Sequence, residues 1–171
     1  MLPPLLRWLF SRKPGIDLSW ITSEWAVGAA PSQRALDALA AEGITSVVDL
    51  RAEAPPDPEV FARAGLRLLH LPVADRSAPG PDQLTAGTTW VLDELAAGRK
   101  VFICCQAGSG RSVCLACAVL VAMGYTLGQA LPLVTRSRPV ALPTEEQVSA
   151  LRAWAATVTS RRDKEPEPDH P

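Results

Sequence analysis

Hydrophobic and polar positions along the chain alternate between two periods. Ile44–Leu50 (ITSVVDL) is β-branched and apolar and reads as a strand, as do Leu66–Leu71 (LRLLHL) and Lys100–Cys104 (KVFIC). Helical stretches separate them: Ser32–Glu42, opened by Pro31 and closed by Gly43; a short helix near Pro58–Ala64; and Leu84–Ala97, introduced by Pro81-Asp82 and stopped by Gly98. Trp20–Ala29 reads as a pair of short strands. Strands alternating with helices predict an α/β fold with a central, mainly parallel sheet flanked by helices.

From Arg111 the pattern turns helical. Ser112–Met123 is almost wholly apolar, which predicts a buried helix ended by Gly124. Thr126–Arg138 is a second helix, in which Pro132 predicts a kink or a delayed start. A last helix begins at Thr144, where Thr144 and Gln147 have the spacing of a capping box. Trp90 and Trp154, on helices, are expected in the core, and no internal repeat is found.

The 171 residues suffice for one domain with a sizeable core. Seventeen basic and eighteen acidic side chains nearly cancel, so no global field selects nucleic acid or an anionic membrane, and any anion must be recognised locally. Cys104, Cys105, Cys114 and Cys117 lie too close in sequence to staple a secreted fold, which points to reduced thiols and a cytoplasmic setting. His70 and His170 are the only histidines, so a Cys/His metal site is not expected. No run is long enough for a membrane span. Residues 1–17 form an apolar N-terminal segment, expected to pack on the domain rather than to touch a membrane. Residues 18–159 are expected to form the folded domain, and 160–171 (SRRDKEPEPDHP) a disordered tail.

The chemistry concentrates in Val101–Ser112 (VFICCQAGSGRS). It sets a cysteine at the end of a buried strand, then a loop with two glycines, an arginine six residues on, and a buried helix. Backbone N–H groups of Gln106, Ala107, Gly108, Ser109 and Gly110 can converge into a concavity, with the positive end of the helix aimed at the same point. Arg111 offers a planar fork matched to two oxygens of a phosphate. Donors that hold an anion there also stabilise a thiolate on Cys105.

Cys105-Gln106-Ala107-Gly108-Ser109-Gly110-Arg111-Ser112 resembles the Cys-x-Ala-Gly-x-Gly-Arg-Ser/Thr signature of the cysteine-dependent protein tyrosine phosphatases, specifically the small dual-specificity phosphatases. The resemblance extends, through the order of elements, over about Leu18–Thr157. It implies that Cys105 attacks phosphorus, Arg111 binds the phosphoryl oxygens and Ser112 helps release a cysteinyl-phosphate, with no cofactor and no metal. It also implies a general acid upstream. Asp75, thirty positions before Cys105 in LPVADRSAP, matches that loop; Asp82, beside Pro81, suits an N-cap better. The implied substrates are phosphotyrosine and phosphoserine/threonine proteins. Lipid or nucleotide phosphomonoesters, or phosphate binding without turnover, are the alternatives, and rhodanese-like sulfur transfer fits the loop less well.

Cys104 departs from the family, which has His there. It either fills the strand end as a small apolar residue or captures an oxidised Cys105. Gln147 either positions the hydrolytic water, as a glutamine does in related phosphatases, or serves only its capping box. Cys114 and Cys117, at i and i+3 of an apolar helix, read as core residues, and His70 as a hydrogen-bonded one. Arg51 either lines the rim of the site or is solvated.

Overall fold

The computed structural model describes residues 15–162. The apolar runs form five strands: β1 (Leu18–Trp20), β2 (Trp25–Ala29), β3 (Ile44–Arg51), β4 (Arg67–Val73) and β5 (Lys100–Cys105). They lie in the order β1-β2-β5-β3-β4. Only β1 is antiparallel to its neighbour; β2, β5, β3 and β4 run parallel. β5 is therefore central, and its C-terminal end opens at the edge of the sheet where the loops of a parallel fold gather.

Among the described residues, six helices cover the sheet. A single 3₁₀ turn, Gln33–Ala35, leads into α1 (Leu36–Ala41), and α2 spans Pro58–Arg63. These two pack Leu36, Leu39 and Phe61 against Val47, Phe102 and Cys104 on one face. On the other face lie α3 (Pro81–Ala96), α4 (Arg111–Ala122), α5 (Leu127–Ser137) and α6 (Glu145–Arg162). Their core residues, among them Leu84, Leu115, Val134 and Leu151, meet Val27, Val48 and Ile103. Helix α4 is buried from Arg111 to Val121, the all-round burial its apolar sequence requires.

Several boundaries differ from the pattern. Helix α3 starts at Pro81, not Leu84, and its N-cap is Gly80, so Asp82 is a first-turn residue and not the cap. Proline at the first helical position has its φ preset, whereas periodicity detects only the first buried residue, Leu84. The Ser32–Glu42 helix divides into the 3₁₀ turn and α1. Pro132 sits inside α5 without delaying its start, because a capping box between Thr126 and Gln129 fixes that end: Gln129 Oε1 accepts from the Thr126 N–H at 2.9 Å. Helix α6 runs to Arg162, three residues into the segment expected to be disordered. The N-terminal segment before residue 15 and the tail after residue 162 lie outside the described residues. None of the helices described is long and apolar enough to cross a membrane.

Candidate active site

The loop from Cys105 to Arg111 joins the end of β5 to the start of α4. Two close approaches demand its glycines. Gly108 has φ +64°, and a Cβ there would lie 2.3 Å from the Gly28 carbonyl carbon on β2. At Gly110 a Cβ would meet the Gln147 amide, 2.7 Å from Oε1. The loop is thus folded tightly between β2 and the start of α6.

Cys105 lies beneath it, 3% exposed, with its Sγ 3.3 Å from Ser112 Oγ. Burial pushes this thiol up, but hydrogen bonding from the Ser112 hydroxyl and from the N–H groups of Ser112, Gly108 and Gly110 outweighs it. The net shift is below the ordinary 9.0. The other three thiols move the opposite way. Burial pushes Cys114 and Cys117 up to about 12, and Cys104 well above 9.0. All four are free cysteines.

Arg111 is 2% exposed at the first turn of α4. Its Nη1 and Nη2 each donate to Glu53 at 2.7 Å; Nη1 also donates to the Val73 carbonyl at 2.8 Å and Nη2 to Asp75 Oδ1 at 3.0 Å. The Arg111 guanidinium, through hydrogen bonding, draws the Glu53 carboxyl down to about 2. Asp75 is exposed on the loop after β4 and also accepts from the Arg76 N–H at 3.0 Å. Arg76 is, among the described residues, the one non-glycine with positive φ, at +62°. A turn in the left-handed region therefore follows directly on Asp75.

Cys105, Asp75, Arg111 and Gln147 share a cavity of about 630 Å³, whose wall also includes Gln106, Ala107, Ser109 and Gly110. The cradle residues and the upstream aspartate meet at one place. Ser112, buried behind Cys105, reaches the sulfur. Gln147 performs its capping role, with the Thr144 N–H donating to Oε1 at 2.9 Å, while its Nε2 donates to the Ser77 carbonyl at 3.0 Å. The amide so joins α6 to the Asp75 loop and still faces the cavity. Asp82 is not part of this wall. Arg51 is not at the rim either: its guanidinium clamps buried Asp49 at 2.7 to 3.1 Å. His70 is hydrogen-bonded as expected, to the Arg51 carbonyl at 2.7 Å.

Two residues of the site escaped the sequence. Glu53 follows the end of β3 by two positions, where an acid is indistinguishable from a solvated loop residue. Arg138 is 1% exposed and braces the cradle from behind: Nε donates to the Gly108 carbonyl and Nη2 to the Ala107 carbonyl at 2.9 Å. Its remaining donors reach Asp17 at 3.0 and 3.1 Å and Ser19 Oγ at 3.2 Å. An arginine in a Pro-flanked helix end gives no local sign of such a task.

The family described as "Polymorphic toxin system, DSP-PTPase phosphatase" matches residues 23–125, more than half of the chain. The chain belongs to this phosphatase family. The crystal structure of Tk-PTP in its active form is similar at 32% identity, over 85% of this chain and 99% of that one, with a TM-score of 0.77. PTPMT1 shares the fold at 22% identity, over 86% of this chain and 99% of its own, with a TM-score of 0.80, and has also been solved with PI(5)P. Human DUSP28 shares it at 24% identity, over 86% and 97% of the two chains, with a TM-score of 0.73. This DSP-PTPase phosphatase is thus a cysteine-dependent phosphatase on an α/β fold with a central, mostly parallel five-stranded sheet.

Proposed function

We propose that this phosphatase hydrolyses phosphotyrosine and phosphoserine/threonine in proteins through a cysteinyl-phosphate on Cys105, in a reducing, cytoplasmic setting. The observation that carries the reading is the lowered Cys105 thiol on the floor of the cavity that Arg111 and Asp75 also line. The thiolate attacks phosphorus while the bond to the leaving oxygen breaks, and Asp75 supplies that oxygen with its proton. The N–H groups of the loop and the Arg111 fork hold the three other oxygens as charge moves onto them.

Asp75 and Glu53 already engage Arg111, so an arriving phosphate takes the place of the Asp75 carboxylate on Nη2; the freed carboxylate takes up a proton from water and, as the acid, faces the leaving group. In the second step water attacks the cysteinyl-phosphate, Asp75 accepts its proton, and the P–S bond breaks to return the thiolate. Ser112, beside the sulfur, stabilises that departing thiolate. Gln147 retains one amide proton and one lone pair beyond its two bonds, enough to orient the water. The catalytic unit falls within residues 18–159.

Cys105→Ser is expected to abolish hydrolysis of an aryl phosphate while vanadate binding survives, since the cradle is backbone and Arg111. Substantial turnover by this variant refutes the covalent route. Metal chelation is expected to leave wild-type turnover intact.

A further inference from the structure

The cradle accounts for the phosphate, but the cavity extends well past it. At about 630 Å³ it falls in the range of roughly 300–1,000 Å³ that holds a whole ligand, so it takes part of the leaving group as well. Its outer wall includes Val140, Leu142 and Pro143. Leu142 is 81% and Val140 47% exposed, two of the four exposed large hydrophobic side chains among the described residues. Aliphatic side chains held open to water beside a polar cradle offer a surface that an apolar part of the leaving group gains by covering.

The wall is fixed relative to the phosphate seat. The Leu142 N–H donates to the Ser109 carbonyl at 2.8 Å, and the Ala141 N–H to the Arg138 carbonyl at 2.9 Å. Pro139 and Pro143 bracket the segment and restrict its backbone. A phosphate bound by the loop therefore places the group esterified to it at a defined position along Val140 and Leu142.

Resting on the function proposed above, we infer that Val140 and Leu142 are specificity-determining residues that cover the ring of a phosphotyrosine and favour it over phosphoserine and phosphothreonine. The chemistry at that height separates the candidate substrates. In phosphotyrosine the first group beyond the ester oxygen is a flat apolar ring, which gains by covering aliphatic carbon. In phosphoserine only one carbon precedes the polar peptide backbone, which would be desolvated against the same wall. A glycerophospholipid places oxygen-bearing carbons there, with its chains farther out. A headgroup carrying a second phosphate finds little charge to receive it. Gln106, Ala107 and Ser109 are neutral, Arg111 is already met by Glu53 and Asp75, and Arg76 is the other cation lining the cavity.

The test compares full-length wild type, Leu142→Ala and Val140→Ala on peptides of one sequence carrying phosphotyrosine, phosphoserine or phosphothreonine, and on vesicles of phosphatidylcholine with a phosphatidylinositol monophosphate. Wild type is expected to prefer the phosphotyrosine peptide. Leu142→Ala is expected to lower the phosphotyrosine-to-phosphoserine ratio of kcat/KM about tenfold, through KM, the low end of what a lost hydrophobic contact gives in a binding pocket. Val140→Ala lowers the ratio less, in keeping with its smaller exposure. An unchanged ratio overturns the inference, as does a wild type that prefers phosphoserine. Preference for the vesicles, lost in Leu142→Ala, overturns it in favour of an acyl chain. Absence of Cys105-dependent turnover on every substrate instead overturns the proposed function itself.

Discussion

Replacing Arg138 by Met tests whether the cradle is held from behind. The stem volume is kept while the donors to the Ala107 and Gly108 carbonyls, Asp17 and Ser19 are lost. Two carbonyls left unsatisfied in a buried position cost about 1–3 kcal/mol each. The ion pair to Asp17, whose side chain is 37% exposed, adds at most about 1 kcal/mol after screening. A loss of about 2–7 kcal/mol follows, a large share of the roughly 5–15 kcal/mol of a typical domain. At about 2–4 °C per kcal/mol for a chain of this size, the melting temperature falls by at least about 4 °C and by up to about 28 °C. A second consequence comes from peptide geometry. The Ala107 carbonyl and the Gly108 N–H belong to one planar trans unit, so fixing the oxygen on Arg138 turns the N–H away from it and toward Cys105. Losing the Gly108 N–H bond to the sulfur raises the Cys105 pKa back toward its ordinary value. Thermal unfolding measures the first effect, and the pH profile of iodoacetamide alkylation the second. Arg138→Lys is expected between the two, because a point charge replaces a fork that spans two carbonyls. An Arg138→Met protein that melts with the wild type and alkylates on the same profile refutes the brace.

Asp75→Asn is expected to lower kcat by about 10²–10⁴-fold for alkyl phosphates and far less for good aryl leaving groups, which need no proton; equal losses across a leaving-group series remove Asp75 from the acid role. Glu53→Gln is read through acid stability. The Glu53 carboxyl is held at about 2 against 4.5 unfolded, so its stabilisation is complete above about 4.5 and fades as pH falls toward about 2. The Gln variant is therefore less stable near neutrality and loses less than wild type on acidification; parallel melting-temperature curves contradict this. Cys104→Ala is expected to recover from peroxide with thiol reductant as fully as wild type, and poorer recovery would give Cys104 the redox role its position suggested.

Much of this site was legible because its chemistry is written in one continuous segment. The cysteine, both glycines and Arg111 have to be contiguous, since a single loop forms the cradle and the helix that follows it supplies the positive end. The strands were legible for a similar reason: a parallel sheet buried on both faces needs near-continuous apolar runs. Glu53 and Arg138 were not, because their part depends on which segments the fold brings to the end of β5. The sheet order sets β2 and β3 beside β5, with β4 beyond β3, and no local pattern encodes it. The onset of α3 was misjudged because a first helical turn need not bury anything.

The adjacent cysteines show how the fold assigns different chemistry to similar residues. Side chains alternate faces along a strand, so Cys105 joins the α4 side of the sheet while Cys104 packs with Ala26, Val47 and Phe102 on the α1–α2 side. On the α4 side the Ser112 hydroxyl and the loop N–H groups draw the Cys105 thiol below its ordinary value. On the other side burial, with Asp49 adjacent in β3, drives Cys104 far above it. Side vectors that diverge across a sheet also oppose a disulfide between the two sulfurs. The family's histidine is therefore replaced on the face where Asp49 and Arg51 form their own ion pair, and not on the face where phosphate is received. The donors that lower the Cys105 thiol come from the loop and Ser112. Cys104 contributes no donor to the cradle, and with its thiol raised on the opposite face it is expected to stay unreactive beside Cys105.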